Sequence, residues 1–339
     1  MHGQLDFIEA ALACQQKRAA ITGVDDEFKA LTQTAGLLDF SDRSRLCLLG
    51  EDRARFLNGQ VTNDINSLSE NTGCYAALIN AKGKMESDLF IYKLADEILL
   101  DFEPGLTQAV KERLENYIIT EDVEIVDAAP HFGLLSVQGP ESEKALKELG
   151  LTQPRNKLNV AKEPGGEYVI NQPRLDTSGF DLFVTVDELE NWKSQLAQHA
   201  QRCYEASFEK ARILATIPRY GQDLTGSNLP PEGGLESRAI SYAKGCYIGQ
   251  EIIARLRTYG QVTKALRGLK LKGPAAVGDA VVFEDKEVGA LTSVTSKPDV
   301  ALAILKRTAY EPGTVLHIDT KNGRITAQVA TLPFEIFAF

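Results

Sequence analysis

The stretch Lys244-Gly-Cys-Tyr-Ile-Gly-Gln-Glu251 runs on into Ile-Ile-Ala-Arg255 and is the most unusual window of the sequence. Two glycines flank a cysteine in a polar turn, and Glu251 with Arg255 has the i,i+4 spacing of a helix that is just beginning. A thiol beside Lys244 and close to the amino end of a helix experiences a positive potential, which favours the reactive thiolate. The window therefore indicates a functional thiol at Cys246. The alternative is that Cys246 is a small buried apolar residue.

The residues that follow this window are basic, although the whole chain is acidic. Residues 244–272 contain seven bases and one acid, whereas the chain has 37 Lys and Arg against 47 Asp and Glu and a net charge of −10. An acidic chain is not a general binder of nucleic acid or of anionic membranes. We therefore expect no strong direct nucleic-acid binding and no membrane partner. The basic stretch either contacts an anionic ligand or partner, or forms a solvated face.

Length and composition are those of a globular chain with more than one domain. The 339 residues are 43% hydrophobic and 25% charged, and a chain of this length typically has two or three domains. The apolar run Leu5 to Cys14 is followed, not preceded, by bases, which is the reverse of a secretory signal. Five scattered cysteines without C-x-x-C and four histidines without metal spacing predict no local metal site. We expect a cytoplasmic protein with reduced thiols.

The hydrophobic patterns predict an α+β fold with an all-β end. Helical spacing predicts helices at 5–19 and 25–34, and strands and helices then alternate irregularly as in α+β layers. The stretch 151–180 is rich in Pro, Gly and Asn and is interpreted as a connection. From Leu266 onward, short alternating runs are separated by Gly, Asp, Pro and Asn, which predicts a small β-barrel or sandwich.

The cysteine window and five other segments resemble YgfZ-type folate-binding proteins, which are relatives of the glycine-cleavage T-protein, an aminomethyltransferase. In family order, the five segments are Phe56-Leu-Asn-Gly-Gln-Val-Thr-Asn-Asp64, Leu78-Ile-Asn-Ala-Lys-Gly-Lys84, Val137-Gln-Gly-Pro140, Ile217-Pro-Arg-Tyr-Gly221 and Leu229-Pro-Pro-Glu-Gly-Gly-Leu235. The resemblance covers nearly the whole chain. It implies three domains in a cloverleaf around a central pocket for tetrahydrofolate or a derivative. The implied domains are residues 1–50 with 128–260 (interleaved), 51–127 (ferredoxin-like, with the folate pocket) and 262–339 (the barrel).

The same resemblance implies a function. YgfZ-type proteins support the assembly or repair of iron–sulfur clusters in client enzymes, including radical enzymes that modify tRNA, and the motif cysteine, here Cys246, is the residue on which this depends. The expected partners are therefore iron–sulfur client enzymes and folate. One alternative is a tetrahydrofolate-dependent aminomethyltransferase like the T-protein. Another is a non-catalytic binding module whose pocket has decayed.

The resemblance also implies residues for the pocket. Tyr75, Asp88 and Tyr92 match an aromatic, a carboxylate and an aromatic that line the pocket of T-proteins, where the carboxylate acts near the reacting folate nitrogen. We therefore predict that Cys246 and Asp88 are catalytic. Strand packing for the tyrosines and turn capping for Asp88 are the alternatives. The remaining predicted cofactor-binding residues are Gln60, Asn63, Glu236, Lys244, Tyr247 and Gln250.

One departure from the family pattern concerns the pterin contact. The family has Arg-Ile-Glu-Ala-Gly where this chain has Arg212-Ile-Leu-Ala-Thr216. Leu214 cannot accept a hydrogen bond from the pterin's amino edge, and an unpaired buried N–H costs roughly 1–3 kcal/mol, or about one to two decades in affinity. We expect folate binding to be weakened, lost, or rearranged around another acceptor such as Glu236. Thr216 also adds a side chain where the family has glycine.

Overall fold

A computed structural model of the chain describes residues 23–334. The predicted helix at 5–19 lies outside these residues. The helices are α1 (residues 23–33), α2 (Arg53–Gln60), α3 (Thr107–Glu115), α4 (Ser142–Glu148), α5 (Leu189–Leu196), α6 (Glu205–Leu214), α7 (Glu236–Ala239) and α8 (Gln250–Tyr259). The strands are β1 (Gly36–Asp39), β2 (Ser44–Leu49), β3 (Thr72–Ile79), β4 (Met85–Lys93), β5 (Ile98–Phe102), β6 (Glu124–Asp127), β7 (Phe132–Gln138), β8 (Val160–Lys162), β9 (Tyr168–Asn171), β10 (Gly179–Thr185), β11 (Gln201–Arg202), β12 (Lys264–Leu271), β13 (Ala280–Phe283), β14 (Lys286–Thr295), β15 (Val300–Lys306), β16 (Val315–Thr320) and β17 (Gly323–Val329).

The first sheet has five antiparallel strands in the order β3-β4-β5-β2-β6. One of its faces packs on α2 and α3, because alternate residues such as Leu46 and Leu48 of β2 point there and are fully buried. The other face, which carries Cys47 and Tyr92, belongs to a different apolar cluster. The sheet is therefore covered on both sides.

The second sheet has six strands in the order β11-β1-β7-β10-β9-β8. The stretch 151–180, which the sequence predicts to be a connection, contributes β8 and β9 to it, so that interpretation is wrong. In β9, Val169 packs into one apolar cluster and Ile170 into the other. A short strand buried on both faces shows no alternation of polar and apolar residues, and Pro and Gly around it conceal it further.

The two sheets face each other across a shared layer of side chains. Its apolar part comes from both sheets and includes Leu38, Leu134, Phe183, Cys47, Tyr92 and Leu99. Its polar part is a buried ion network. Asp101 accepts hydrogen bonds from Arg43 Nε and Arg174 Nη2, both at 2.7 Å, and Arg174 also donates to Asp181. Because Asp101 lies on β5 of the first sheet and Asp181 on β10 of the second, Arg174, in the loop between β9 and β10, links the two sheets through these ion pairs.

The chain ends in a closed barrel of six strands in the order β12-β15-β14-β13-β16-β17, which confirms the predicted barrel. Helix α6 attaches to the barrel through an apolar cluster that contains Ile213, Leu214 and Leu302. Arg212 reinforces this contact by donating to Ser293 Oγ at 2.8 Å. The predicted α+β fold class is correct. Among residues 23–334, no helix combines the length and the apolar character needed to cross a bilayer.

Candidate functional site

A cavity lies where the two sheets, α6 and α7 meet. It encloses about 860 Å³ of space between atoms, part of which is open to solvent. Its wall is built from the turn between β1 and β2, the middle of β3 and β4, the ends of β5 and β9, and one face of α6 and α7. Residues from most of the chain therefore meet in this one cavity.

Two of the predicted residues, Tyr75 and Asp88, form a pair in the cavity wall. Ala77 is directly opposite Asp88 in the ladder, so Tyr75 is its diagonal neighbour on the same face. Tyr75 Oη donates a hydrogen bond of 2.6 Å to Asp88 Oδ2. Burial, followed by the charge of Glu103, raises the pKa of Asp88 to about 6. The pair is therefore a fixed phenol and a carboxyl group that titrates close to neutral pH.

Tyr92, the third predicted pocket residue, lies elsewhere. It is fully buried between the sheets and packs edge-on against Phe183, with ring centroids 6.3 Å apart. Its side chain is not part of the cavity wall, and its hydroxyl has no hydrogen-bond partner within the described part of the chain. The structure thus gives Tyr92 the strand-packing position that the sequence left as an alternative.

The cavity wall also carries cations that the sequence did not single out. The Arg238 guanidinium lies 5.8 Å from the centre of the Tyr75 ring, and no salt bridge to Arg238 occurs among residues 23–334. Burial, followed by the charge of Arg238, lowers the pKa of Lys157. Lys157 has one long contact, 3.9 Å to Asp176. Two neighbouring cations with so little compensation attract an anionic group.

The opposite part of the wall is a paired row of charges. Glu103 accepts hydrogen bonds of 2.7 Å from both Arg43 Nη1 and Arg219 Nε. Arg219 also contacts Glu205 and Glu209 on α6. These side chains are bound to one another, so we assign them the role of holding α6 and the first sheet in place around the cavity.

The loop that carries Cys246 is fastened to the loop after α2. Lys244 is buried, and its ammonium group donates to three backbone carbonyls: those of Asn58 at 2.5 Å, Val61 at 2.8 Å and Asn63 at 2.7 Å. These three bonds use all of its N–H groups. Burial lowers the pKa of Lys244 to about 8, while the three carbonyls favour its charged form. Lys244 therefore holds the loop in place and is not part of the cavity wall.

The start of α8 fixes the other side of this loop. Gly249 adopts φ 79°, and a Cβ on it would lie 2.4 Å from the carbonyl oxygen of Asn80. Helix α8 begins immediately afterwards, at Gln250, which agrees with the predicted helix start. Cys246 is exposed on this loop, so it is not the buried apolar residue of the alternative interpretation. It is also not part of the cavity wall.

The other predicted ligands likewise lie outside the cavity wall. Gln60 Oε1 accepts a hydrogen bond of 3.1 Å from Arg113, and Asn63 Nδ2 donates one of 2.9 Å to the carbonyl of Tyr75. Tyr247 is buried in the apolar cluster that contains Tyr75. The structure thus places Gln60, Asn63 and Tyr247 behind the cavity wall, with their polar groups or rings engaged in contacts within the protein.

Glu236 and Gln250 are also away from this cavity. Glu236 Oε1 accepts a hydrogen bond of 2.6 Å from Tyr242 Oη and lines a separate cleft beside α8. Gln250 is the half-buried first residue of α8. Glu236 therefore lines a different cleft from the one that contains Tyr75 and Asp88.

The two departures from the family pattern have structural consequences of their own. Leu214 packs against the barrel and is not part of the cavity wall, so an acid at this position would not face a ligand here. Thr216 adopts φ 60°, the left-handed conformation that suits the family's glycine. Its hydroxyl is buried without a partner in residues 23–334. A β-branched residue in this conformation is strained.

The basic stretch 244–272 is not one continuous face. Lys244 is buried, Lys264 Nζ lies 3.6 Å from the Glu232 carboxylate, and Arg267 lies over the ring of Tyr310 and donates to its carbonyl. Several of its charges therefore have partners within the molecule. The two weakly compensated cations of the cavity wall, Lys157 and Arg238, lie outside the stretch.

A closed barrel joined to two facing sheets with a cavity between them defines the aminomethyltransferase type of α+β fold. The family described as GCVT N-terminal domain matches residues 5–158, and the glycine cleavage T-protein C-terminal barrel domain matches residues 248–334. Because the two matches together span more than half of the chain, it belongs to the GcvT-like family.

Two relatives illustrate this membership. The crystal structure of the glycine cleavage system aminomethyltransferase T from Bartonella henselae matches with a TM-score of 0.84. It covers 92% of this chain and 89% of that chain at 19% identity, which is a similarity of fold. A chloroplastic protein of Arabidopsis thaliana, provisionally named a transferase, is 29% identical in an alignment of length 345 that covers 98% of this chain and 80% of the relative.

Proposed function

We propose that this GcvT-like protein binds tetrahydrofolate or a derivative in the cavity between the sheets. The observation that carries this proposal is the Tyr75–Asp88 pair, joined at 2.6 Å, in the wall of a cavity of about 860 Å³. A reduced folate has amine nitrogens at its ring end and glutamate carboxylates at the other. The pair suits the ring end, and Lys157 with Arg238 suits the carboxylates.

Asp88 supplies the proton chemistry of this site. Its pKa of about 6 means that Asp88 is ionised at neutral pH yet accepts a proton readily. The hydrogen bond from Tyr75 on β3 holds Asp88 Oδ2 and leaves Asp88 Oδ1 for the ligand. Asp88 can therefore orient a ligand amine and remove its proton.

The ligand is tested by titration with folinic acid, a stable reduced folate, and with tetrahydropteroate, which lacks the glutamate tail. Lys157→Ala and Arg238→Met are each expected to weaken folinic acid about tenfold, and to leave tetrahydropteroate unchanged. The matched control is Lys162→Ala, because Lys162 is an exposed lysine of β8 outside the cavity wall. Failure of the wild type to bind either compound contradicts the proposed ligand.

We further propose that the protein acts as a YgfZ-type factor in the cytoplasm, supporting assembly or repair of iron–sulfur clusters in client enzymes, including tRNA-modifying radical enzymes. What supports this is the position of Cys246, exposed on a loop that Lys244 and Gly249 hold rigidly. A thiol placed there can meet a partner's cluster or thiol without entering the folate cavity.

This role is tested by complementation of a strain that lacks its own copy of the protein. Cys246→Ser is expected to fold normally and to fail to restore iron–sulfur enzyme activity. Ala243→Ser is the control, because it changes another exposed position of the same loop and should rescue fully. Full rescue by Cys246→Ser contradicts a thiol-dependent role.

A second candidate function is aminomethyl transfer to tetrahydrofolate, and Asp88 with its raised pKa favours it. The two functions differ in the residues they need. If the protein is an aminomethyltransferase, Asp88→Asn abolishes one-carbon transfer and Cys246→Ser does not. If it serves iron–sulfur enzymes through its thiol, Cys246→Ser abolishes rescue, and wild-type protein transfers no aminomethyl group.

A further inference from the structure

A second cleft, separate from the proposed folate site, lies beside helix α8. It encloses about 630 Å³ of space between atoms, part of which is open to solvent. Its wall combines the end of α8, the connection from α8 to the barrel, the start of α7 and the turn after β15. No residue of this wall belongs to the wall of the cavity that contains Tyr75 and Asp88. The cleft is therefore a distinct candidate site.

The cleft presents one acid and one base on either side of a tyrosine ring. Glu236 Oε1 accepts a hydrogen bond of 2.6 Å from Tyr242 Oη, and Glu236 Oε2 has no partner among the described side chains. The Arg257 guanidinium lies over the face of the same ring, 3.9 Å from its centre. Arg257 forms no salt bridge with any described side chain. The two charged groups thus share a ring without bonding to each other.

Both groups are held in place, and both are exposed. An arginine that stacks on an aromatic ring keeps the N–H groups at its edge free to bind a carboxylate. The hydrogen bond from Tyr242 orients the Glu236 carboxylate and leaves its second oxygen as an acceptor. Because Arg257 and Glu236 contact the same ring, a single small molecule can bond to both of them.

The rest of the described wall carries no charge. Glu236 and Arg257 are its only charged side chains, and Leu256, Val262 and Pro231 give it an aliphatic surface. A ligand with only a negative charge would bond to Arg257 and leave the Glu236 carboxylate unpaired, and a ligand with only a positive charge would do the reverse. A wall with one acid, one base and aliphatic surface therefore suits a zwitterion with an apolar group.

We propose that this cleft binds the zwitterion of an aliphatic α-amino acid. Arg257 donates to the carboxylate, and Glu236 Oε2 accepts from the ammonium group. Leu256 and Val262 pack against the aliphatic side chain.

The ligand class is tested by isothermal titration calorimetry of the wild-type protein with three compounds that differ by one charged group. L-Leucine carries both charges, isocaproate lacks the ammonium group, and isoamylamine lacks the carboxylate. Each of the last two is expected to bind about tenfold more weakly than L-leucine, because each leaves one charged group of the cleft unpaired. Failure of L-leucine to bind, or equal binding of the three compounds, overturns the proposal.

The site is tested by variants of its two charged residues, which are exposed and can be replaced without disturbing the core. Arg257→Met should abolish the preference for L-leucine over isoamylamine, and Glu236→Gln should abolish the preference for L-leucine over isocaproate. The matched control is Arg255→Met, because Arg255 lies on the same helix, pairs with Glu251 at 2.6 Å and is not part of the cleft wall. It should keep both preferences. If Arg257→Met and Glu236→Gln keep them as well, the proposal is wrong.

A second measurement locates the ligand without a variant. Crystals of the wild-type protein soaked in L-selenomethionine, an α-amino acid with an unbranched apolar side chain, are expected to show an anomalous selenium peak beside Leu256 and Val262. Selenium bound only in the cavity of Tyr75 and Asp88 would overturn the assignment of this cleft.

Discussion

Asp88→Asn is expected to make the protein more stable at neutral pH while removing its proton chemistry. The pKa of Asp88 is raised from 3.8 to about 6 by burial and by Glu103. A shift of about 2 pH units corresponds to about 3 kcal/mol, because each unit is worth about 1.4 kcal/mol. Asparagine has the same shape and can still accept the hydrogen bond from Tyr75, but it has no charge to bury. The gain is therefore about 2–3 kcal/mol.

The size of this stabilisation depends on pH. Between about pH 4 and 6 the folded wild type holds a proton on Asp88 that the unfolded chain has released, so its free energy of unfolding falls as pH rises through this window. The difference between variant and wild type should thus be near zero at about pH 4 and reach its full value above about pH 6. Urea unfolding at a series of pH values measures it.

The matched control is Asp96→Asn, since Asp96 is exposed on the turn between β4 and β5. For Asp96→Asn, the difference in free energy of unfolding from the wild type should not change across the same pH range. If Asp88→Asn destabilises the protein at pH 7, or if its effect does not change between pH 4 and 7, then Asp88 is not a carboxylate held at an unfavourable pKa.

Substitutions at three further positions test the packing around the site. Thr216→Gly should raise the free energy of unfolding by about 1–3 kcal/mol by relieving the left-handed strain and the buried hydroxyl, and Thr216→Ala, which keeps the Cβ, should gain less. Leu214→Glu should lower the free energy of unfolding by about 3 kcal/mol or more, because it buries a charge against the barrel, and it should not improve folate affinity. Tighter folate binding by this variant would contradict the packing of Leu214 against the barrel. Lys244→Met should lower the free energy of unfolding, measured with urea, by about 3 kcal/mol or more, because three backbone carbonyls lose their donor. An unchanged free energy of unfolding would mean that Lys244 does not stabilise the Cys246 loop.

The elements that the sequence predicts well are those with a strong local signal. The barrel is visible in its alternating runs and turn residues, and the start of α8 follows from Gly249 and the Glu251–Arg255 spacing, which forms an ion pair of 2.6 Å. Strand β9 is hidden because a short strand buried on both faces carries no period, and strand β8 is hidden because three residues are too few to show one.

The candidate site is predictable only where one short segment carries it. Tyr75 and Asp88 lie on adjacent strands of a hairpin, so the motif spacing locates both. Lys157 and Arg238 are 81 positions apart in sequence and meet through the fold, so no local pattern joins them. A usable signal was present in the ion network: Asp101 is a charged residue inside the apolar strand β5, which indicates a buried partner.

The cysteine window illustrates how structure separates packing from chemistry within one motif. Lys244 donates hydrogen bonds to three backbone carbonyls, and Tyr247 packs in an apolar cluster. Position 249 needs glycine because its φ is 79° and the backbone of Asn80 lies too close for a side chain. Cys246 is exposed, and it has no hydrogen-bond partner among residues 23–334. Serine would fit this position equally well, so the fold does not explain the thiol. For that reason Cys246→Ser tests sulfur chemistry alone, and any loss of function it causes cannot be assigned to a damaged loop.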